Sequence, residues 1–142
     1  MTYYSDMLQK GEEFQEHVKR VLWDKYALAL DFTKGDPQNY IGETLQGIEV
    51  KYDMMFEKSG NLWIEIAEKT DPKNPNYVNS GIMRDDNSWL FIIGDYKKLF
   101  VFTIKDLRME THSHEIRENN MKTSMGYLLP EDEADLLACL II

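Results

Sequence analysis

Glu49, Lys51 and Asp53 alternate with Ile48, Val50 and Tyr52, and a little further on Trp63, Glu65 and Ala67 alternate with Leu62, Ile64 and Ile66. Residues that alternate along a strand share a face, so each run presents its polar members together. Two carboxylates on neighbouring strands could hold Mg²⁺ and leave room for water and a phosphate oxygen, because Mg²⁺ takes few protein ligands and keeps several waters. A lysine beside them could orient an attacking water or balance charge that builds up in the transition state. Asp53, Glu65 and Lys51 therefore have the residue types needed for phosphodiester hydrolysis. A charged strand face is more often the wet side of an antiparallel sheet. Against that, Glu65 is flanked on its own face by Trp63 and Ala67, which solvate poorly, and a carboxylate in such a place needs a partner, a metal or a shifted pKa.

The two runs read as a hairpin over residues 47–69. Glu57-Lys-Ser-Gly-Asn61 forms its turn, with Gly60 to supply a positive φ. A register centred on Ser59 sets Asp53 opposite Glu65, Lys51 opposite Ala67 and Glu49 opposite Lys69. Upstream, Phe14, Val18, Val21 and Leu22 make one apolar stripe, which predicts a helix over residues 11–25. Tyr26 to Thr33 reads as a short strand stopped by the turn cluster Gly35–Asn39. The prolines of Asp71–Asn76 mark a loop. Ser88–Ile93 and Leu99–Ile104 read as strands buried on both faces, residues 105–110 as a helical turn, and 111–125 as polar chain without a clear period. Pro130 followed by Glu131, Asp132 and Glu133 opens a C-terminal helix. The expected class is α+β (α/β): an N-terminal helix followed by a mixed central sheet flanked by helices, in one domain over residues 1–142.

Sixteen Lys+Arg against 25 Asp+Glu give a net charge of -9 on 142 residues. That excludes a protein that coats nucleic acid by charge alone. It leaves open an enzyme that meets nucleic acid at a local site, with weak, salt-sensitive affinity. One cysteine, Cys139, rules out an internal disulfide framework and suits a reducing compartment. No apolar run approaches the ~20 residues of a membrane span, and the first residues do not read as a signal peptide. The expected location is cytoplasmic.

The segments Gly47-Ile-Glu-Val-Lys-Tyr-Asp53, Ser59-Gly-Asn-Leu-Trp-Ile-Glu65-Ile-Ala-Glu-Lys69, Ser80-Gly-Ile82 and Asn87-Ser-Trp-Leu-Phe91 resemble phage and bacterial members of the PD-(D/E)XK endonuclease superfamily. The likeness implies a restriction-endonuclease-like core and a Mg²⁺- or Mn²⁺-dependent endonuclease acting on DNA. Carried over, Asp53 and Glu65 are the metal ligands and Glu13 on the first helix assists; Glu49, on the face of Lys51 and Asp53, is the other candidate for that assisting role. Ala67 occupies the position where the motif has lysine. Lys51, opposite Ala67 in the expected register, is the substitute, with Lys69 second. In another frame Glu49-Val-Lys51 is the acid–x–lysine sequence and Glu43 the upstream acid. The missing lysine and the acidic charge equally suit a nuclease fold that has lost catalysis and serves as an interaction or accessory protein. By family analogy a homodimer is plausible.

Other groups carry weaker signals. His112-Ser-His114-Glu115 has metal-binding residue types, although zinc needs three or four ligands. His17 lies within a helical turn of Glu13 and reads by default as a half-buried helix histidine. Cys139 reads as inert core. Lys97, Lys98, Lys105, Arg108 and Lys122 could form a phosphate-contacting rim, and each reads singly as ordinary surface.

Overall fold

The computed structural model describes residues 2–32, 44 and 46–142, Tyr4 by its backbone only. The turn cluster at 35–39 and Glu43 of the alternative frame lie outside the described residues.

The first helix, α1, spans Tyr3–Tyr26, beginning eight residues earlier than its apolar stripe indicates. Thr2 starts it, its side-chain oxygen accepting from the Ser5 amide. Phe14, Val18 and Leu22 are buried as the stripe requires, each contributing roughly 1.5–3 kcal/mol by burial. The helix ends at Ala27, in the left-handed region at φ 54, where the Ala27 amide bonds to Trp23 and the Leu28 amide to Leu22. This closure overturns the expected strand over Tyr26–Thr33: Tyr26 is helical, and of the described part only Phe32 bridges, to Thr44.

The class is α+β, as expected, but the strands form two sheets instead of one. The first holds β1 (Ile48–Tyr52), β4 (Leu90–Gly94), β5 (Leu99–Thr103) and β8 (Leu140–Ile141) in the order β1-β4-β5-β8. It is mixed, with β1 parallel to β4 and the other pairs antiparallel. The second holds β2 (Asn61–Glu68), β3 (Val78–Asn79), β6 (Arg117–Glu118) and β7 (Ser124–Pro130), all antiparallel, in the order β3-β2-β7-β6. Helices α2 (Phe56–Ser59), α3 (Ile104–Glu110) and α4 (Glu131–Leu137) complete the elements used below.

The first sheet is covered on both sides. Ile48, Val50, Ile92, Leu99 and Val101 pack with the α1 stripe. Phe91, Ile93, Phe100 and Phe102 point the other way and pack with Leu62, Ile64, Tyr127 and Leu129 of the second sheet. β4 and β5 are thus buried on both faces, as their continuous apolar runs predict. β1 differs. Its α1 face is apolar, but on the opposite face Glu49 and Lys51 stand at the positions paired with Phe91 and Ile93. The apolar layer between the sheets stops at this edge strand.

The expected hairpin is not present. β1 and β2 lie in different sheets, so Asp53 does not face Glu65, nor Lys51 Ala67, nor Glu49 Lys69. Glu65 is paired with Gly126, and Ala67 with Met125 and Asn79. The physical reason lies at Asp53. Its Oδ2 accepts from the Trp63 amide at 2.8 Å and its Oδ1 from the Met55 amide at 3.1 Å. Its own amide donates to Gly94, and its carbonyl accepts from Phe56. These bonds turn the chain through α2, which the left-handed Gly60 caps at φ 72, and carry it to the second sheet. Gly60 has the conformation expected of it, in a helix cap instead of a hairpin turn.

Asp53 accepts from two amides, and a carboxamide oxygen can take its place at only one of them. Asp53→Asn is expected to lower stability by about 1–3 kcal/mol, measured by denaturant unfolding. Burial pushes the Asp53 pKa above its ordinary 3.8, against the opposing pull of the Trp63, Met55 and Phe56 amides and the Lys51 charge. A carboxyl whose pKa is raised in the fold binds protons more tightly when folded. Wild-type stability relative to a non-titrating Asn therefore falls as pH rises from the ordinary value through the raised one. The gap between wild type and Asp53→Asn should narrow with pH across that window and then level off; a gap that widens would contradict the assignment.

Candidate active site

A cleft of about 490 Å³ opens where the inter-sheet core stops at β1. Glu49 and Lys51 of β1 line it, with Trp63, Glu65 and Glu68 of β2, Arg84 after the 3₁₀ turn Gly81–Met83, and Lys10, Gly11 and Gln15 of α1. α1 reaches it through Tyr3, Met7, Gly11 and Gln15, spaced four residues apart and so on one face of the helix. Three carboxylates and three cations stand on this wall, so the chain's negative excess is not concentrated here.

Glu65 is the most closely held of these groups. Ser80 Oγ donates to its Oε1 at 2.9 Å and Ser124 Oγ to its Oε2 at 2.6 Å. Ser124 Oγ in turn accepts from Trp63 Nε1 at 3.1 Å. The backbone around Glu65 allows this. A β-bulge lies between Glu65 and Ala67, where β2 advances two residues against one step from Gly126 to Met125. The bulge reverses the alternation and brings Glu68, in place of Ala67, onto the face of Trp63 and Glu65. Gly126 and Gly81 admit the close approach, since a Cβ at either would stand 2.2 Å from the carbonyl oxygen of Ile64 or Glu65 respectively, and Gly81 has φ +53. The Ser80 amide is anchored to Ile66 at 3.0 Å, and Arg108 Nε donates to Ile82 at 2.6 Å. The 3₁₀ turn is thereby fixed between β2 and α3.

Of the residues singled out in the sequence, the structure brings Glu49, Lys51 and Glu65 to one cleft. Glu49 is buried, only 7% exposed, while Lys51 is exposed. Asp53 is not on the cleft wall, and both its oxygens accept backbone amides. Glu13 is exposed, accepts from Gln9 Nε2 at 3.1 Å and is not on the wall either. Lys69 turns its Nζ to the Asn74 carbonyl at 2.7 Å, over the Tyr77 ring. His17 packs on Phe14 and Tyr96, and burial followed by the Arg20 charge lowers its pKa. Cys139 is exposed, contrary to its reading as core, and its thiol donates to the Val101 carbonyl. Lys97 pairs with Glu57, and Lys98 with Glu131 and Asp135, so neither forms part of a free basic rim.

Ser124 and Gln15 lie outside the sequence motifs, and Ser80 and Glu68 lie within them without an expected role at the site. Gln15 has one traceable signal, its four-residue spacing from Gly11 and Met7. Its Nε2 is buried and has no hydrogen-bond partner among the described residues, which leaves a donor at the cleft wall for a bound oxygen.

The cleft carboxylates are hard oxygen donors of the kind Mg²⁺ takes. The two oxygens of Glu65 each keep acceptor capacity beyond the serine they bind. Elsewhere, three ligand atoms, from Glu110, His114 and Glu133, lie within 4.8 Å of one another. No helix among the described residues is long and apolar enough to cross a membrane. No family model, curated protein or solved structure matches the chain.

Ser124→Ala removes a donor to Glu65 and the acceptor of Trp63 Nε1 together. It should cost about 1–3 kcal/mol, more than a solvent-exposed Ser→Ala change, and release the Trp63 indole from its polar contact. Thermal unfolding and tryptophan fluorescence report the two effects.

Proposed function

We propose that this cleft is the active site of a divalent-metal-dependent nuclease that hydrolyses DNA phosphodiester bonds, on a restriction-endonuclease-like core. The observation that carries the reading is the meeting of Glu49, Lys51 and Glu65 in one cleft, although they come from strands in two different sheets. Glu49 and Glu65, with Glu68 near them, are the residues that would hold Mg²⁺ or Mn²⁺. A bound ion would supply Lewis-acid stabilisation of phosphate charge and a more acidic water. Lys51 offers an exposed ammonium to a phosphate oxygen or to the attacking water, in the role left vacant by Ala67. Glu49-Val-Lys51 is then the acid–x–lysine sequence of the site, and Asp53 is a positioning residue that fixes where β1 ends and β2 begins. With a net charge of -9 on the whole chain and three cations on the cleft wall, DNA affinity is weak and salt-sensitive.

One observation favours a second reading, a binding cleft without catalysis: both oxygens of Glu65 already accept from serines, as they would in a structural network. Incubating the chain with supercoiled plasmid and Mg²⁺ or Mn²⁺ separates the two. The nuclease reading expects nicking that chelator abolishes and that Glu49→Gln, Glu65→Gln and Lys51→Met each reduce by about 10²-fold or more, with folding checked by circular dichroism. Plasmid that stays intact at high protein concentration with either ion would sink it.

A further inference from the structure

We propose that Glu110, His114 and Glu133 form a second metal site, separate from the cleft, for a transition-metal ion of the zinc class. His114 Nε2 stands 3.0 Å from Glu110 Oε1 and 3.5 Å from Glu133 Oε2. Donors about 2.0–2.2 Å from a tetrahedral Zn²⁺ are roughly 3.3–3.6 Å apart, so each histidine–carboxylate separation is within a few tenths of an ångström of that range, and all three ligand atoms lie within 4.8 Å of one another. None of the three residues lines the cleft.

The fold presents the imidazole for this task. Its side chain is only 13% exposed. Its ring lies on the Tyr127 ring at 4.9 Å between centroids and 18° between planes. Tyr127 is itself fully buried, and its hydroxyl donates to Leu107 at 2.7 Å. The ring plane is therefore set by the core, and Nε2 is directed at two carboxylates. Glu110 closes α3 and Glu133 lies in the first turn of α4, so an ion here would tie together two helices that are joined in sequence through the 3₁₀ turn Thr111–Ser113, β6 and β7. Three protein ligands leave a fourth position for water. The ring nitrogen distinguishes this site from the cleft: imidazole suits zinc, copper and nickel, whereas an all-carboxylate wall suits magnesium.

The test is calorimetric titration of the full chain with Zn²⁺ in excess Mg²⁺, in a Cys139→Ser background so that the exposed thiol cannot contribute. One ion should bind per chain and raise the melting temperature, because a ligand bound only by the native state stabilises it. Co²⁺ should give the visible absorption of a tetrahedral site with nitrogen ligation. His114→Ala and Glu133→Gln should each weaken Zn²⁺ binding by about tenfold or more. Glu133 has a half-exposed side chain, so its variant keeps the fold even if loss of the His114 ring disturbs Tyr127. The cleft double variant Glu49→Gln/Glu65→Gln should bind Zn²⁺ as the parent does. Absence of Zn²⁺ binding, binding that survives both His114→Ala and Glu133→Gln, or binding lost in the cleft variant would each overturn the proposal and leave an ordinary histidine–carboxylate contact. The plasmid assay does not enter this outcome, so the two metal proposals stand or fall separately.

Discussion

The carboxylate of Asp53 is the joint on which the molecule turns. The inter-sheet core needs β1 in one layer and β2 in the other, and only a short stretch of chain separates them. Asp53 makes the crossing possible by accepting two amides at once, from Met55 just after it and from Trp63 on the next strand. Its own backbone stays bonded to Gly94 and Phe56. A buried carboxylate with both oxygens satisfied by amides is a strong local constraint, because each unmet group would carry its desolvation penalty. The register of Trp63 and Glu65 relative to Glu49 and Lys51 follows from it.

The cleft is a consequence of where apolar residues run out. β4 and β5 carry large side chains on both faces, so the space between the sheets fills. β1 keeps only one apolar face, and its Glu49 and Lys51 stand where a continued core would have had counterparts of Phe91 and Ile93. The second sheet meets them with Trp63, Glu65 and Glu68 on the face that the bulge creates. α1 seals the far side with Gln15, while its Phe14, Val18 and Leu22 hold it to the first sheet.

Much of this is legible in the residues, and the failures have definite causes. The apolar runs of β4 and β5 and the Phe14–Val18–Leu22 stripe identify their elements because burial dictates their period. Thr2 and Ser5 start α1 well before that stripe, at a place where no apolar period marks it. Residues 53–60 have the composition of a hairpin turn, and nothing local distinguishes a turn within one sheet from a crossing between two. β7 hides because Ser124, Gly126 and Pro130 interrupt its apolar alternation, and without β7 the true partner of β2 is missing. Glu49, Lys51 and Glu65 are found by their charge. Ser80 and Ser124 are neutral and distant in sequence from Glu65, so although Ser80 falls in a quoted segment, nothing in the pattern shows that either bonds to that carboxylate. Asp53 has the right residue type and a structural task, a distinction that residue spacing alone does not make.

Among the described residues the two sheets have four outer strands, and three of them, β3, β6 and β8, are only two residues long. Such edges offer another chain almost no ladder to extend, which protects against strand addition and aggregation. The fourth, β1, is five residues long and would be the vulnerable one. It is defended by a bond from the Thr44 amide to the Ile48 carbonyl and by the exposed charge of Lys51. Lys51, exposed on this strand, therefore works against strand addition as well as lining the cleft. Neutralising Lys51 would remove a barrier to strand addition along the longest outer strand among the described residues.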